Sequence, residues 1–368
     1  MNKQVDVFIV GAGPAGLCAA IAARKKGLEV IVADGGQFPI EKACGEGLMP
    51  GTVRLLRELG AEFRTGDGRE FRGVRFIDKN KQAHADFPNG PGLAMRRGKL
   101  HSRLVEAAKG SGATLLWNSP VTELRRDGVR AGNDVFPARW IIGADGSGSR
   151  IAQWSGLKKS ARSAYRFARQ QHFAVKPWSE YVEIYWSASA QAYVTPVGEN
   201  EICIAMLGGD PHAKMSGLLL QHKELAERLR DRSISSVERG AMTGTHRLHR
   251  VTKDNVLLIG DASGTVDAIT GEGMRLGFEH AIAAAEAIVS GDLFQYERKH
   301  RQIASRPSVM AHLLQVLNSK PHLREKVLRT LSGAPDLFQK LLAFHAGEST
   351  FLQSLAVGAG LGWRLFFA

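Results

Sequence analysis

The chain has 368 residues, 44% of them hydrophobic and 23% charged, a mixture that excludes a disordered protein and allows a sizeable core. The formal net charge of +13 suits an anionic partner such as a phosphate-bearing cofactor or an acidic membrane surface; no Lys/Arg run is interleaved with aromatics, which argues against nucleic acid. Three cysteines, Cys18, Cys44 and Cys203, show no CxxC or metal-ligand spacing, so neither a disulfide scaffold nor a metal site is expected and the cytoplasm is the expected compartment.

The first predicted element is the apolar, β-branched run Val5 to Val10, which reads as a strand buried on both faces of a parallel sheet. It runs into "GAGPAG", with Gly11, Gly13 and Gly16 spaced by Pro14 and Ala15, and then into Ala-rich helical sequence that stops at Gly27. A second strand, "EVIVAD", ends in Asp34. This order has a physical reading: Gly11 permits the tight strand-to-helix turn, Gly13 lets a pyrophosphate approach bare backbone, and Gly16 lets the helix pack closely. The helix N-terminus receives the diphosphate, and a carboxylate about twenty residues on accepts hydrogen bonds from a ribose. Dinucleotide binding is the expectation.

Next comes "KACGEGLMPG", a loop with Cys44 and Glu46 ahead of the helical "TVRLLRELG". Arg72 to Pro88 alternates around a polar middle and predicts a hairpin. A helix follows in "MRRGKLHSRLVEAAKG", with Arg96 and Arg97 competing for a cofactor-facing place at its start. "ARWIIGADGSGSR" and "DNVLLIGDASG" then supply two further strands that end in aspartate beside glycine, at Asp145 and at Gly260-Asp261. Carboxylates at strand C-termini face the crevice where doubly wound sheets hold ligands; the alternative is a cap on the following turn. Between these two segments, residues 159–246 carry successive β-type runs. After them, Gly271 and Gly273 flank Glu272 ahead of Met274 and a long amphipathic helix, whose start offers backbone N–H groups to an electron-rich acceptor.

Together "GAGPAG", "GADGSGSR" and "LIGDASGTVDAITGEGMRLGFEHA" resemble the flavin-dependent group of p-hydroxybenzoate hydroxylase-type monooxygenases and geranylgeranyl reductases, over residues 5 to about 285. The resemblance implies FAD as cofactor, with Asp261 on its ribityl chain or ribose, Asp145 shaping the flavin region, Arg97 as a flavin-side or phosphate-side cation, and the helix start at Gly271–Met274 facing the flavin pyrimidine. "AYVTPVGENEICIAML" is similar to the stretch lining the flavin's active face, which makes Tyr193 and Pro196 pocket residues alongside Glu46. The Cys44 loop resembles the CxGG-type loop of geranylgeranyl reductases, with Glu46 interrupting its glycines. Cys44 is therefore a candidate for chemistry, for the pocket wall or for packing, with Lys42 as its nearest cation in sequence.

The implied fold class is α/β: a Rossmann-like FAD-binding domain of the GR2 type (1–70, 96–158, 247–290) interleaved with an antiparallel-sheet substrate domain (71–95, 159–246), then C-terminal helices (291–368). With no second GxGxxG in context, NAD(P)H would bind transiently, or a separate reductase or other donor would supply electrons. The leading expectation is an FAD-dependent monooxygenase acting on an aromatic or apolar small molecule through a C4a-hydroperoxyflavin. The alternative is a geranylgeranyl-reductase-like enzyme saturating prenyl double bonds, and a non-catalytic FAD-binding protein is a minor one. Flavin halogenases share the fold, but no WxWxIP-like segment is present. The C-terminal helices could close the substrate cavity or touch a bilayer peripherally, and the tail from Ser349 to Trp363 could make the same contact; sequence leaves the oligomeric state open.

Overall fold

The computed structural model describes residues 4–158, 165–187 and 190–348; the tail from Ser349 to Trp363, which the sequence allows to touch a membrane, lies outside them. Strand β1 (Val5–Val10) leads into helix α1 (Pro14–Lys25) and strand β2 (Val30–Ala33), followed by helix α2 (Pro50–Glu58). The predicted hairpin is β3 (Gly73–Asp78) and β4 (Lys81–Asp86), paired from Gly73↔Asp86 to Asp78↔Lys81. Helix α3 (Arg97–Gly110), β5 (Thr114–Leu116), β6 (Asp134–Gly143) and the short α4 (Arg150–Trp154) come next. Four long strands follow: β7 (Arg166–Ala174), β8 (Tyr181–Trp186), β9 (Ala190–Gly198) and β10 (Glu201–Gly208). After β11 (Arg239–Thr243) and β12 (Val256–Leu258), the helices α5 (Gly273–Ser290), α6 (Leu293–Ser319), α7 (Pro321–Ser332) and α8 (Pro335–His345) complete the described chain.

The first sheet has the order β12-β6-β1-β2-β5 with every one of these pairs parallel. Such a sheet needs helices on its faces, and α1, α3 and α5 provide them with alanine-rich surfaces: Ala19, Ala20, Ala23, Ala281, Ala284 and Ala285 are all fully buried. Small side chains let α1 and α5 approach each other closely over the strand ends.

The second sheet runs β7-β10-β9-β8-β3-β4. It is antiparallel as expected except at β8 and β3, which pair in parallel from Tyr181↔Gly73 to Tyr185↔Ile77. The hairpin and the later meander leave the first sheet on separate excursions, so no tight turn forces them antiparallel. One face packs on the short helices at 215–219 and 223–229 through Ile202, Ile204, Met206, Leu218 and Leu225; part of the other packs on α7 and α8 through Phe71, Trp186, Leu328 and Phe338.

A buried ion pair ties α7 to the hairpin. Arg324 Nε donates to Asp78 Oδ2 at 2.6 Å, and its Nη1 donates to Leu317 O at 3.2 Å. Arg324 is 4% exposed, so Arg324→Ala strands the Asp78 carboxylate in a low-dielectric site. The expected cost is about 3–5 kcal/mol, read as a lowered Tm, with α7 loosened from the sheet.

Candidate functional site

The C-terminal ends of β1, β2, β6 and β12 open into a cavity of about 1180 Å³ that continues between the second sheet and α6–α8. That exceeds the roughly 300–1,000 Å³ of an ordinary small-molecule site, leaving room for a dinucleotide and a second molecule.

Gly11 stands at φ +105, and a Cβ there would meet Ala144 O at 2.5 Å. At Gly13 an added Cβ would meet nothing within 4 Å, because the position faces the cavity at the cap of α1. Pro14 and Ala15 also line the wall, but Gly16 does not. A Cβ at Gly16 would come within 1.9 Å of Gly11 O, so its place is helix packing rather than direct cofactor contact. Asp34 lines the cavity, held by Ala12 N and Gly36 N at 2.7 Å each.

Asp145 also borders the cavity, with its carboxylate turned to the start of α4: it accepts from Ser149 Oγ at 2.5 Å, Arg150 N at 2.7 Å and Ile151 N at 3.2 Å. The capping alternative thus describes its hydrogen bonds. Gly260 and Asp261 lie across the cavity, with Asp261 Oδ2 3.2 Å from Lys42 Nζ. Gly271, at φ +69, and Gly273 and Met274 complete this side. The intervening Glu272 is 1% exposed and points away, accepting from Arg275 Nε at 2.9 Å.

The structure separates the two candidate arginines. Arg96 Nε donates to Glu201 Oε2 at 2.6 Å and its guanidinium also reaches Ser235, outside the cavity wall. Arg97 lines the cavity, and its buried Nη1 has no hydrogen-bond partner. Burial pulls the Arg97 pKa below the usual arginine value, against the attraction of Cys44, Asp261 and Glu46. A guanidinium stays protonated in a protein, so this wall presents an unsatisfied cation.

Cys44 lines the cavity beside it, and Glu46 N donates to its sulfur at 3.4 Å. Burial raises the Cys44 thiol above its ordinary value; Arg97 is the strongest opposing influence, ahead of Lys42. The thiol is therefore held as S–H near neutral pH, which disfavours a thiolate nucleophile. The sequence picked Lys42 as the nearest cation because Arg97 arrives from a distant segment.

Tyr193 is on the wall, donating its hydroxyl to Ile269 O at 2.9 Å. Pro196 is not; it faces the opposite side of β9, with Val194, Trp178 and Ile202. Side chains alternate along a strand, so Tyr193 and Thr195 share the cavity face while Val194 and Pro196 leave it. Thr195 Oγ1 donates to Gly45 O at 2.8 Å and fastens the Cys44 loop to the sheet.

Sequence reasoning missed what lies under that loop. Glu46 is 4% exposed, adopts φ +61, and receives Arg97 N at 2.8 Å on Oε1. Its Oε2 is 2.6 Å from His172 Nε2. Gln170 Nε2 lies 3.2 Å from the same ring nitrogen and 3.5 Å from Cys203 Sγ. Glu46, His172 and Cys203 each place one donor atom within 4.8 Å of the others, but the carboxylate and imidazole already share a hydrogen bond. The available signal was Gln170 and His172 two apart on one face of a strand.

The far end of the cavity is apolar. Val74, Phe76, Val182 and Ile184 of the second sheet face Leu314, Leu317, Val327, Leu331 and Leu342 of the helices. Phe76 stacks on Phe338 with ring centroids 5.1 Å apart.

A family model described as an FAD binding domain matches residues 4–290. The chain belongs to that family. It is 28% identical over 327 residues to a menaquinone reductase of Mycobacterium tuberculosis, covering 80% of this chain and 78% of that one. It is 24% identical over 317 residues to digeranylgeranylglycerophospholipid reductase 3 of Methanosphaera stadtmanae, covering 79% of each. The solved structure of a probable FAD-dependent monooxygenase from Pseudomonas aeruginosa has the same fold, with a TM-score of 0.74 at 21% identity, covering 91% of this chain and all of that one. The protein is an FAD-dependent oxidoreductase of the superfamily that its motifs resembled. The residues fit the cofactor: open space over Gly13 at a helix start suits a diphosphate, and the orphaned Arg97 nitrogen is free to donate to an anionic or carbonyl oxygen. Among the described residues no helix is long and apolar enough to cross a membrane.

Proposed function

We propose that this protein is a flavin-dependent reductase that saturates a carbon–carbon double bond in a long isoprenoid chain. The observation that carries this reading is the apolar half of the cavity, which runs from the Cys44 loop to Phe338 and Leu342 and suits a flexible hydrocarbon better than a compact aromatic ring. Two relatives, matched over about four-fifths of their length, are named as reductases of a quinone and of a geranylgeranyl lipid, which supports the same reading. The motifs alone favoured oxygenation of a small molecule; the apolar lining of the cavity's far end moves the preference.

Gly11, Gly13, Pro14 and Ala15 would hold the diphosphate, Asp34 the adenosine ribose, and Asp261 the ribityl side, with Arg97 and the start of α5 beside the ring system. FAD supplies two-electron transfer chemistry when bound. The chain's own residues orient the reactants and exclude water. Glu272, neutralised by Arg275, leaves the start of α5 favourable to negative charge. His345 Nε2 lies 2.9 Å from Thr270 O, so the end of α8 seats on the loop before α5 and helps close the cavity. Cys44 stands in the wall as a neutral thiol.

The test is anaerobic. Reduced, FAD-loaded protein is expected to be reoxidised by a geranylgeranyl lipid or menaquinone with no oxygen present. Reoxidation that requires oxygen and yields a hydroxylated product overturns the proposal in favour of a monooxygenase. Cys44→Ser is expected to retain FAD and to lower turnover by roughly tenfold, since the side chain sets the wall at the reacting geometry. Steady-state rates at matched flavin content check it.

A further inference from the structure

We propose that Ser236, His172 and Glu46 form a proton relay from solvent to the floor of the cavity. The inference rests on the reductase reading, because saturating a double bond takes up a hydride at one carbon and a proton at the other. The hydride equivalent belongs to the flavin and its two-electron donor; the relay supplies the proton.

The geometry is continuous. Half-buried Ser236 places its Oγ 2.9 Å from His172 Nδ1, and His172 Nε2 is 2.6 Å from Glu46 Oε2. Glu46 belongs to the cavity wall. Both ring nitrogens of the imidazole are thus engaged, one toward the surface and one toward the cavity. A proton passing from Nε2 to the carboxylate, and on to an acceptor in the cavity, is replaced at Nδ1 from the Ser236 hydroxyl, which recovers one from water. Charge and protons balance over each passage, and the imidazole returns to its Nε2–H tautomer before the next.

Two features set this apart from an ordinary core hydrogen bond. Glu46 occupies the left-handed region at φ +61 between Gly45 and Gly47, a conformation unfavourable for a non-glycine residue. The loop carries that strain and still buries a carboxylate. Arg97 N at 2.8 Å and Thr195 holding Gly45 O then fix the acid in place. The charged and titratable groups facing the pair are Cys44, Cys203, Arg97, and the Arg96–Glu201 ion pair. Burial holds both thiols protonated and the arginines stay charged, so none of these neighbours supplies the proton.

The experiment uses the full chain loaded with FAD. Infrared difference spectra on electrochemical reduction are expected to show a deuterium-sensitive carboxyl band that disappears in Glu46→Gln. In single-turnover reoxidation by digeranylgeranylglycerophospholipid, His172→Ala is expected to slow the reaction by about 100-fold, with partial rescue by added imidazole. Ser236→Ala, at the solvent end, is expected to bind FAD normally and to raise the solvent deuterium isotope effect; it decides the matter if His172→Ala fails to fold. Wild-type rates and isotope effects in these variants, a loss that imidazole does not restore, or no carboxyl band overturns the relay. A redox-linked band in a protein that reoxidises with neither this lipid nor menaquinone supports the relay and overturns the substrate reading alone.

Discussion

Gly13→Asp is expected to leave the fold intact and to weaken flavin binding sharply. The position caps α1 with extended backbone, φ −67 and ψ 173, and has no side-chain cap. Aspartate is among the best residues at such a position, because its carboxylate accepts a backbone N–H of the first turn. No atom lies within 4 Å of where its Cβ would sit, so packing does not oppose the change. Yet the new charge occupies the space assigned to a diphosphate, and it satisfies the donors that the diphosphate needs. A loss of flavin affinity on the order of 100-fold, about 2.7 kcal/mol, is expected with an unchanged or raised Tm. Flavin fluorescence titration and calorimetry check the two halves; tight binding by a folded variant would remove the diphosphate from the α1 cap.

Acid is expected to destabilise the protein well before ordinary carboxylates titrate. His280 and His300 stack at 4.0 Å between α5 and α6, and neither ring nitrogen of His280 has a hydrogen-bond partner. Burial pushes His280 well below the ordinary 6.5, while His300 and His222 fall to about 4 from the same cause. Their folded pKa values lie below the unfolded one, so the unfolded chain takes up protons first as the pH falls. The stability contribution is complete above pH 6.5 and is lost between 6.5 and about 4. Each unit of separation is worth about 1.4 kcal/mol, so the shifts of His300 and His222 are large enough to matter to stability, and His280 acts in the same direction. Tm measured across that interval should fall steeply, and His280→Leu, which abandons no hydrogen bond, should flatten the slope. A flat profile in the wild type would count against the buried neutral pair. His300 Nε2 also lies 2.8 Å from Ser263 Oγ, beside the Asp261 turn, so flavin release should accompany the loss.

The flavin half of the site was legible because its signals are local. Strand, glycine turn, helix and acidic tip follow one another within Val5 to Asp34, and each has a backbone reason that survives in any context. The same logic found the wall residues at Gly260, Asp261, Gly271 and Gly273. It misjudged Pro196 because a strand's inward face is set by its register against neighbours, here Tyr193↔Ala205 and Pro196↔Ile202, which a sequence does not display. Glu46 was read as an interruption of a glycine run and as a pocket residue; its partner His172 lies 126 positions away, beyond any spacing argument. The resemblance preferred Arg97 to Arg96; the physical reason, Glu201 holding Arg96, is visible only in the fold.

The parallel seam where Tyr181–Tyr185 meets Gly73–Ile77 also bears on biogenesis. The hairpin cannot gain that neighbour until the meander has been synthesised, and the first sheet waits for the strand at Val256–Leu258. Neither layer can close until most of the chain has been made, so assembly is long-range and slow, and unpaired edges stay exposed during much of translation. Chaperone demand should therefore persist until residues near 260 leave the exit tunnel and fall after that point.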